Sequence, residues 1–110
     1  MEERTFEFAR GVRLFVRTIP RTVSNREDVK QLIRASGSVG ANYIEANETL
    51  GKKDFAMRIK IARKEAKECR YWLRLIDTGG THEIDKARDA LVQESVELMN
   101  ILAAILRKFL

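Results

Sequence analysis

The chain has little of what most chemistry requires. It holds one cysteine, Cys69, so no intrachain disulfide can form and a reducing, cytoplasmic setting is the expectation. It holds one histidine, His82, in a glycine-flanked stretch read as a loop. One histidine and one cysteine far apart make no metal cluster, so no metal or cofactor is expected. No apolar run approaches the length of a membrane span, and the opening residues, MEERTFEFAR, show no apolar signal core, so no membrane partner is expected. The glycine-containing GSVGANY lacks the lysine and the strand context of a phosphate-cradling loop. No set of residues points to a reaction, and the expectation is a protein that is not an enzyme.

What the chain does hold is helix. There is one proline, and the abundant Leu, Ala, Glu, Lys and Arg are strong helix formers. Hydrophobic residues at 45% are enough for one modest core, and 34% charged residues describe a soluble globular surface. Four amphipathic segments account for nearly every residue. The first runs from about Thr5 to Thr18, with Phe8, Val12, Phe15 and Ile19 on one face, and Pro20 stops it. The second starts at Ser24-Asn25-Arg26-Glu27, which has the capping-box pattern, and reaches about Leu50. Gly51 is expected to end it in the left-handed conformation. The third runs from about Lys53 to Thr78, with Phe55, Ile59, Ala62, Ala66, Cys69, Leu73 and Ile76 alternating steps of four and three before Gly79-Gly80. The fourth begins near Ile84 or Asp85 and carries Ile84, Ala87, Leu91, Ser95, Leu98, Leu102, Ile105 and Phe109 as its core stripe. Short connections between long helices force neighbours antiparallel. The expected fold is all-α, an up-down-up-down antiparallel four-helix bundle formed as one domain by residues 1–110.

SVGANYIEANE, residues 38–48, interrupts the second segment with small and polar residues. Ser36, Gly37, Gly40 and Ala41 fall on successive turns, where small side chains let another backbone approach. A helical glycine costs about 1 kcal/mol relative to alanine, so two of them point to a close-packing role. Ser36, Gly40, Tyr43 and Asn47 are read as one close-packed face with Asn47 as a polar pin. The alternative there is a small ligand pocket beside Gly40 and Asn47. The carboxylates Glu45, Glu48, Glu65 and Glu68 lack the Glu-x-x-His pairs of a di-metal bundle, and pairing with arginines across helices is the expectation.

RASGSVGANYIEANETLGKKDF (residues 34–55) and ARKEAKECRYWLRLI (62–76) resemble the 23S rRNA intervening-sequence protein family. The motif is a run of small-residue turns, then Asn42 to Ala46 as Asn-x-x-Glu-Ala, a glycine, and basic residues before Phe55. The likeness covers essentially the whole chain. It departs at IPRTVSNRED, where the family often has an aromatic-proline pair. The resemblance implies a four-helix bundle assembled as a homopentameric ring, and the chain is also similar to the basic accessory proteins of diversity-generating retroelements, which bind a reverse transcriptase and nucleic acid. It brings no catalytic residues.

Two features of the residues themselves bear on partners. The fourth segment has a second apolar stripe, Val92, Val96, Met99, Ala103, Leu106 and Leu110, with Trp72 and Leu75 of the third segment as additions. A helix of a monomeric bundle needs one stripe, so the second is read as an oligomer interface. Basic residues are also grouped: Lys60, Arg63, Lys67, Arg70 and Arg74 share a face of the third segment, and Arg10, Arg13 and Arg17 recur along the first. The net charge is +5, and residues 52–78 alone hold nine basic and four acidic side chains. Five such chains would carry +25, a surface that attracts RNA or DNA phosphates. With aromatics at 7% no ring-rich base-reading surface is evident, so recognition by charge and shape is the leading expectation. The alternative is an oligomeric scaffold that recruits a protein partner such as a reverse transcriptase, without binding nucleic acid itself.

Overall fold

The computed structural model describes residues 1–109. Four helices follow one another: α1 (Glu2–Val16), α2 (Val23–Glu48), α3 (Lys52–Leu75) and α4 (His82–Phe109). They form an elongated bundle 46 × 20 × 20 Å in extent, in which each helix touches only its neighbours in the cycle α1, α2, α3, α4. α1 and α3 are therefore diagonal to each other, as are α2 and α4. The buried core is the line read from periodicity, including Phe8, Val12 and Phe15 of α1, Ile59 to Leu73 of α3, and Leu98 and Leu102 of α4. Burying such side chains is worth roughly 1.5–3 kcal/mol each and holds the four helices together.

The termini follow local chemistry. Acidic Glu2 and Glu3 open α1, and Glu83 and Asp85 open α4, where the helix dipole favours negative charge. Arg107 and Lys108 close α4, where it favours positive charge. α2 is capped two residues earlier than its capping-box sequence suggests: Thr22 Oγ1 accepts the Asn25 backbone N–H at 3.0 Å. Gly51 does not take the left-handed conformation. It is extended (φ −115°) and starts α3, because only residues 49–51 separate the two helices. The left-handed glycines are Gly79 and Gly80, in the loop before α4. His82 is the first residue of α4 and not part of that loop, and α3 stops at Leu75, short of Thr78.

Asn25 was not singled out as a core residue, yet it is 2% exposed and fastens one end of the bundle. Its Nδ2 donates to the carbonyls of Pro20 (2.9 Å) and Asp77 (2.8 Å), and its Oδ1 accepts the Asp77 N–H (2.9 Å). One side chain thus ties the α1–α2 connection to the end of α3. Near the middle of α4, the start of α1 is held by Arg4, whose guanidinium donates Nε to Glu94 Oε2 and Nη2 to Glu94 Oε1, both at 2.8 Å, and Nη2 to Glu97 at 2.9 Å.

Candidate nucleic-acid interface

At 3.6 residues per turn, Lys60, Arg63, Lys67, Arg70 and Arg74 fall within an arc of about 80° on α3, beside the buried line of Ile59, Ala62, Ala66, Cys69 and Leu73. The stripe runs about 21 Å along the helix axis. Arg70 is half-buried and the other four are exposed. Among the described residues, no carboxylate lies within 4 Å of any of the five, although ten ion-pair contacts form elsewhere on the chain. The row continues toward the start of α3, where Lys52, Lys53 and Lys60 line a shallow cavity of about 440 Å³ with Asp54, Met57 and Phe109.

The arginines of α1 are in a different state. Arg10 lies 3.5 Å from Glu7, one turn away. Arg13 Nη1 donates to the Ala9 carbonyl (2.9 Å) and to Ser36 Oγ on α2 (3.3 Å). Arg17, at the end of α1, is exposed and, among the described residues, without an ion-pair partner. α1 and α3 being diagonal, the two basic groups form separate surfaces of one chain and do not merge.

The opposite flank of α3 faces α2 and is acidic. The Glu65 side chain is 6% exposed; Arg34 of α2 approaches it at 3.7 Å and also lies 3.7 Å from Glu68, while Lys64 is 3.9 Å from both. This is the expected cross-helix pairing of carboxylate and arginine. Glu65 Oε2 is nevertheless buried without a hydrogen-bond partner among the described residues, as is Trp72 Nε1. Cys69, fully buried nearby, has its thiol pushed up to about 12, first by burial and then by Glu65 and Glu68. Glu45 and Glu48 are exposed and, among the described residues, form no ion pair. Among the described residues no group of three or more His, Cys, Asp or Glu side chains could hold a metal ion.

The small-residue face of α2 is a contact with α1. A Cβ built on Gly40 would meet Thr5 Oγ1 at 2.8 Å and Thr5 Cβ at 3.2 Å, so glycine is what lets α1 lie this close. Ser36 and Gly40 are buried and Tyr43 is half-buried. Asn47 is exposed and is not part of the contact. It falls two turns beyond Gly40, whereas α1 begins only three residues before Thr5, so α1 does not extend over Asn47. Leu50, the expected end of the second segment, lies past the end of α2 at Glu48 and is fully exposed. Beside Gly40 a groove of about 590 Å³ opens between α1 and α2, floored by Ala9, Gly37 and Ala41, flanked by exposed Phe6 and Ile44, and rimmed by charges of both signs.

The second stripe of α4 divides. Leu106 is buried in the chain's own core, and Val92 and Met99 lean against that core. Val96 and Ala103 are half-buried. Leu110 lies outside the described residues. Of the seam residues, Ala87 and Phe109 are exposed; the Phe109 ring stacks tilted on Phe55 with centroids 4.5 Å apart. On α3, Leu75 is exposed and Trp72 half-buried. Among the described residues, no helix is long and apolar enough to cross a membrane.

Residues 2–104 match the sequence model of the family described as 23S rRNA-intervening sequence protein. Among solved structures the chain is similar to a protein of unknown function from the S23 ribosomal protein family of Bacteroides thetaiotaomicron VPI-5482, at 32% identity over 96% of each chain with a TM-score of 0.76. No curated protein matches.

Proposed function

The chain belongs to the 23S rRNA-intervening sequence protein family, and from that premise we propose that it is a non-enzymatic, basic helical oligomer that binds structured RNA or DNA through charge and shape. One observation carries the reading. Lys60, Arg63, Lys67, Arg70 and Arg74 line one flank of α3 with no carboxylate within 4 Å among the described residues. Arg4, Arg34 and Arg88 lie against acids, whereas other cations such as Arg21, Lys52 and Lys86 are, among the described residues, also outside ion-pair distance; what sets the five apart is that they form one row along a single helix face. Cations that the fold leaves unopposed are available to an external anion, and a linear row of them suits a phosphate backbone.

The assembly proposed is a homopentameric ring, which repeats the α3 stripe five times. Support comes from the apolar surface that the single chain leaves open, at Val96 and Ala103 of α4 and at Leu75 of α3. The lone, buried thiol fits a reducing, cytoplasmic setting. A second reading, an adaptor that recruits a protein partner, is favoured by the groove between α1 and α2, where Phe6 and Ile44 stand exposed.

Fluorescence anisotropy with a labelled structured RNA and a labelled duplex DNA, each across a salt series, tests the first reading. Binding at micromolar concentration or tighter is expected, with a log–log salt slope of several units. No binding at low salt would leave the adaptor reading in its place.

A further inference from the structure

We infer that Tyr71 is a stacking platform for an unpaired base, so that the α3 stripe takes nucleic acid with single-stranded or bulged nucleotides in preference to a continuous duplex. The inference rests on the phosphate-binding reading of the stripe and adds to it the class of nucleic acid. Tyr71 is 58% exposed on α3, on the side of the helix turned away from the buried line of Ile59, Ala62, Ala66, Cys69 and Leu73. Its helical neighbours one turn before are Lys67 and Glu68, the latter already paired with Arg34 and Lys64, and one turn after are Arg74 and Leu75; Lys67 and Arg74 belong to the stripe. Its ring is not loose: it meets the half-buried Trp72 edge-on, centroids 5.1 Å apart and planes at 81°. A T-shaped contact steadies the ring and occupies at most one of its faces, and the 58% exposure leaves room for a base on the other. A fixed ring between two cations presents a π-face where a strand held by its phosphates would bring its bases, and every base has a face that can stack there. Bases inside a duplex are already stacked and cannot use it.

Phe6 of α1 is similarly exposed, but it sits over a groove where Glu2 and Glu3 offset Arg10 and Arg13, with no row of cations beside it. Phe109 is exposed beside Lys52, Lys53 and Lys60, but its ring is already stacked on Phe55; Tyr71 lies along the five-cation row itself.

The test uses the whole chain with three labelled probes: an oligothymidine, an abasic strand of equal length and charge, and a duplex. Wild type is expected to bind the oligothymidine about tenfold more tightly than the abasic strand. Tyr71→Leu should abolish that preference and leave the abasic and duplex affinities and the salt slopes unchanged, while Tyr71→Trp should keep the preference. Light scattering on each variant should give the wild-type particle size. Equal wild-type binding of thymidine and abasic strands would overturn the stacking role alone, as would a preference that survives Tyr71→Leu. A changed particle size in Tyr71→Leu would assign the ring to a subunit contact and overturn the inference. A wild type that binds none of the probes would overturn the charge reading and this inference together.

Discussion

The two flanks of α3 carry similar numbers of charges and use them in opposite ways. On the flank that faces α2, Glu65 and Glu68 draw in Arg34 and Lys64, and Arg58 donates to Asn42 Oδ1 at 3.2 Å. Those charges are engaged in holding two helices in register. On the other flank Lys60, Arg63, Lys67, Arg70 and Arg74 face no acid within ion-pair distance among the described residues. Five cations at one-turn spacing repel one another and add nothing to folding, so they mark the flank where an external partner is expected. The α2-facing flank shows that this sequence can place carboxylates beside cations where pairing serves the fold.

The comparison breaks most visibly if charge is removed from the open flank. Replacing Lys60, Arg63, Lys67, Arg70 and Arg74 together with Gln should lower nucleic-acid affinity roughly a thousandfold and flatten the salt slope by about four units. Thermal stability should hold or rise, because only repulsion is lost. Anisotropy across a salt series, with a melting curve on the same sample, reads both; unchanged affinity would exclude this flank as the binding surface.

On the engaged flank the same kind of change should do the reverse. Arg34→Ala removes the cation nearest to a buried carboxylate and leaves Glu65 with Lys64 at 3.9 Å. A loss of about 1–2 kcal/mol is expected, with little change in nucleic-acid affinity. Adding Glu65→Leu should recover most of it, since an apolar side chain does not need the missing cation. A denaturant titration of the two variants and the wild type measures the coupling; additive effects would mean that Arg34 and Glu65 do not act as a pair.

This contrast was only half legible in the sequence. Helical spacing located the four helices and most of the core, because burial follows periodicity whatever the detailed contacts. It also located both basic rows, but it could not tell an occupied cation from a free one. Arg13 and Arg74 look alike as letters; only the approach of α2 shows that Arg13 is bonded to Ser36. Asn47 was misplaced because periodicity gives the face of a helix and not where its neighbour stops. Asn25 was missed because a polar residue at a helix start reads as part of a cap. A signal was present: Asn25, Leu32, Val39 and Ala46 are spaced by sevens and all four are buried. A polar residue at the head of a buried heptad line is a candidate pin.

The basic row of α1 provides an intermediate case. Arg10 has Glu7 and Arg13 has Ser36, which leaves Arg17 as the arginine of that row most like those of α3. Arg10, Arg13 and Arg17 changed together to Gln should flatten the salt slope by about one unit, against about four for the α3 set. A loss equal to that of the α3 set would show that the ion-pair state of a cation in the free chain does not decide its part in binding. It would also join the two diagonal surfaces into one footprint.

The smallest effect concerns Cys69, which sits in the core behind the acidic flank. Its thiol is pushed up to about 12 by burial, with Glu65 and Glu68 adding to the rise and Arg34 opposing it. In the unfolded chain the same thiol ionises near its ordinary value of about 8.5. Below that pH both states keep the proton and the residue makes no pH-dependent contribution. As pH rises above it the unfolded chain loses the proton and the folded chain does not. Stability should therefore fall with rising pH, by at most about 1.4 kcal/mol per unit, until the folded thiol also ionises. Cys69→Ala lacks this term, so the difference between the two proteins in urea midpoint should be flat below about pH 8 and should drift in favour of the variant above it. Alkylation gives the same answer by another route. The folded thiol should resist iodoacetamide under conditions where the urea-unfolded chain reacts, because the thiolate is the nucleophile. If Cys69 reacts readily in the folded protein, the acidic flank is open to solvent, and the contrast between an engaged and a free side of α3 loses its basis.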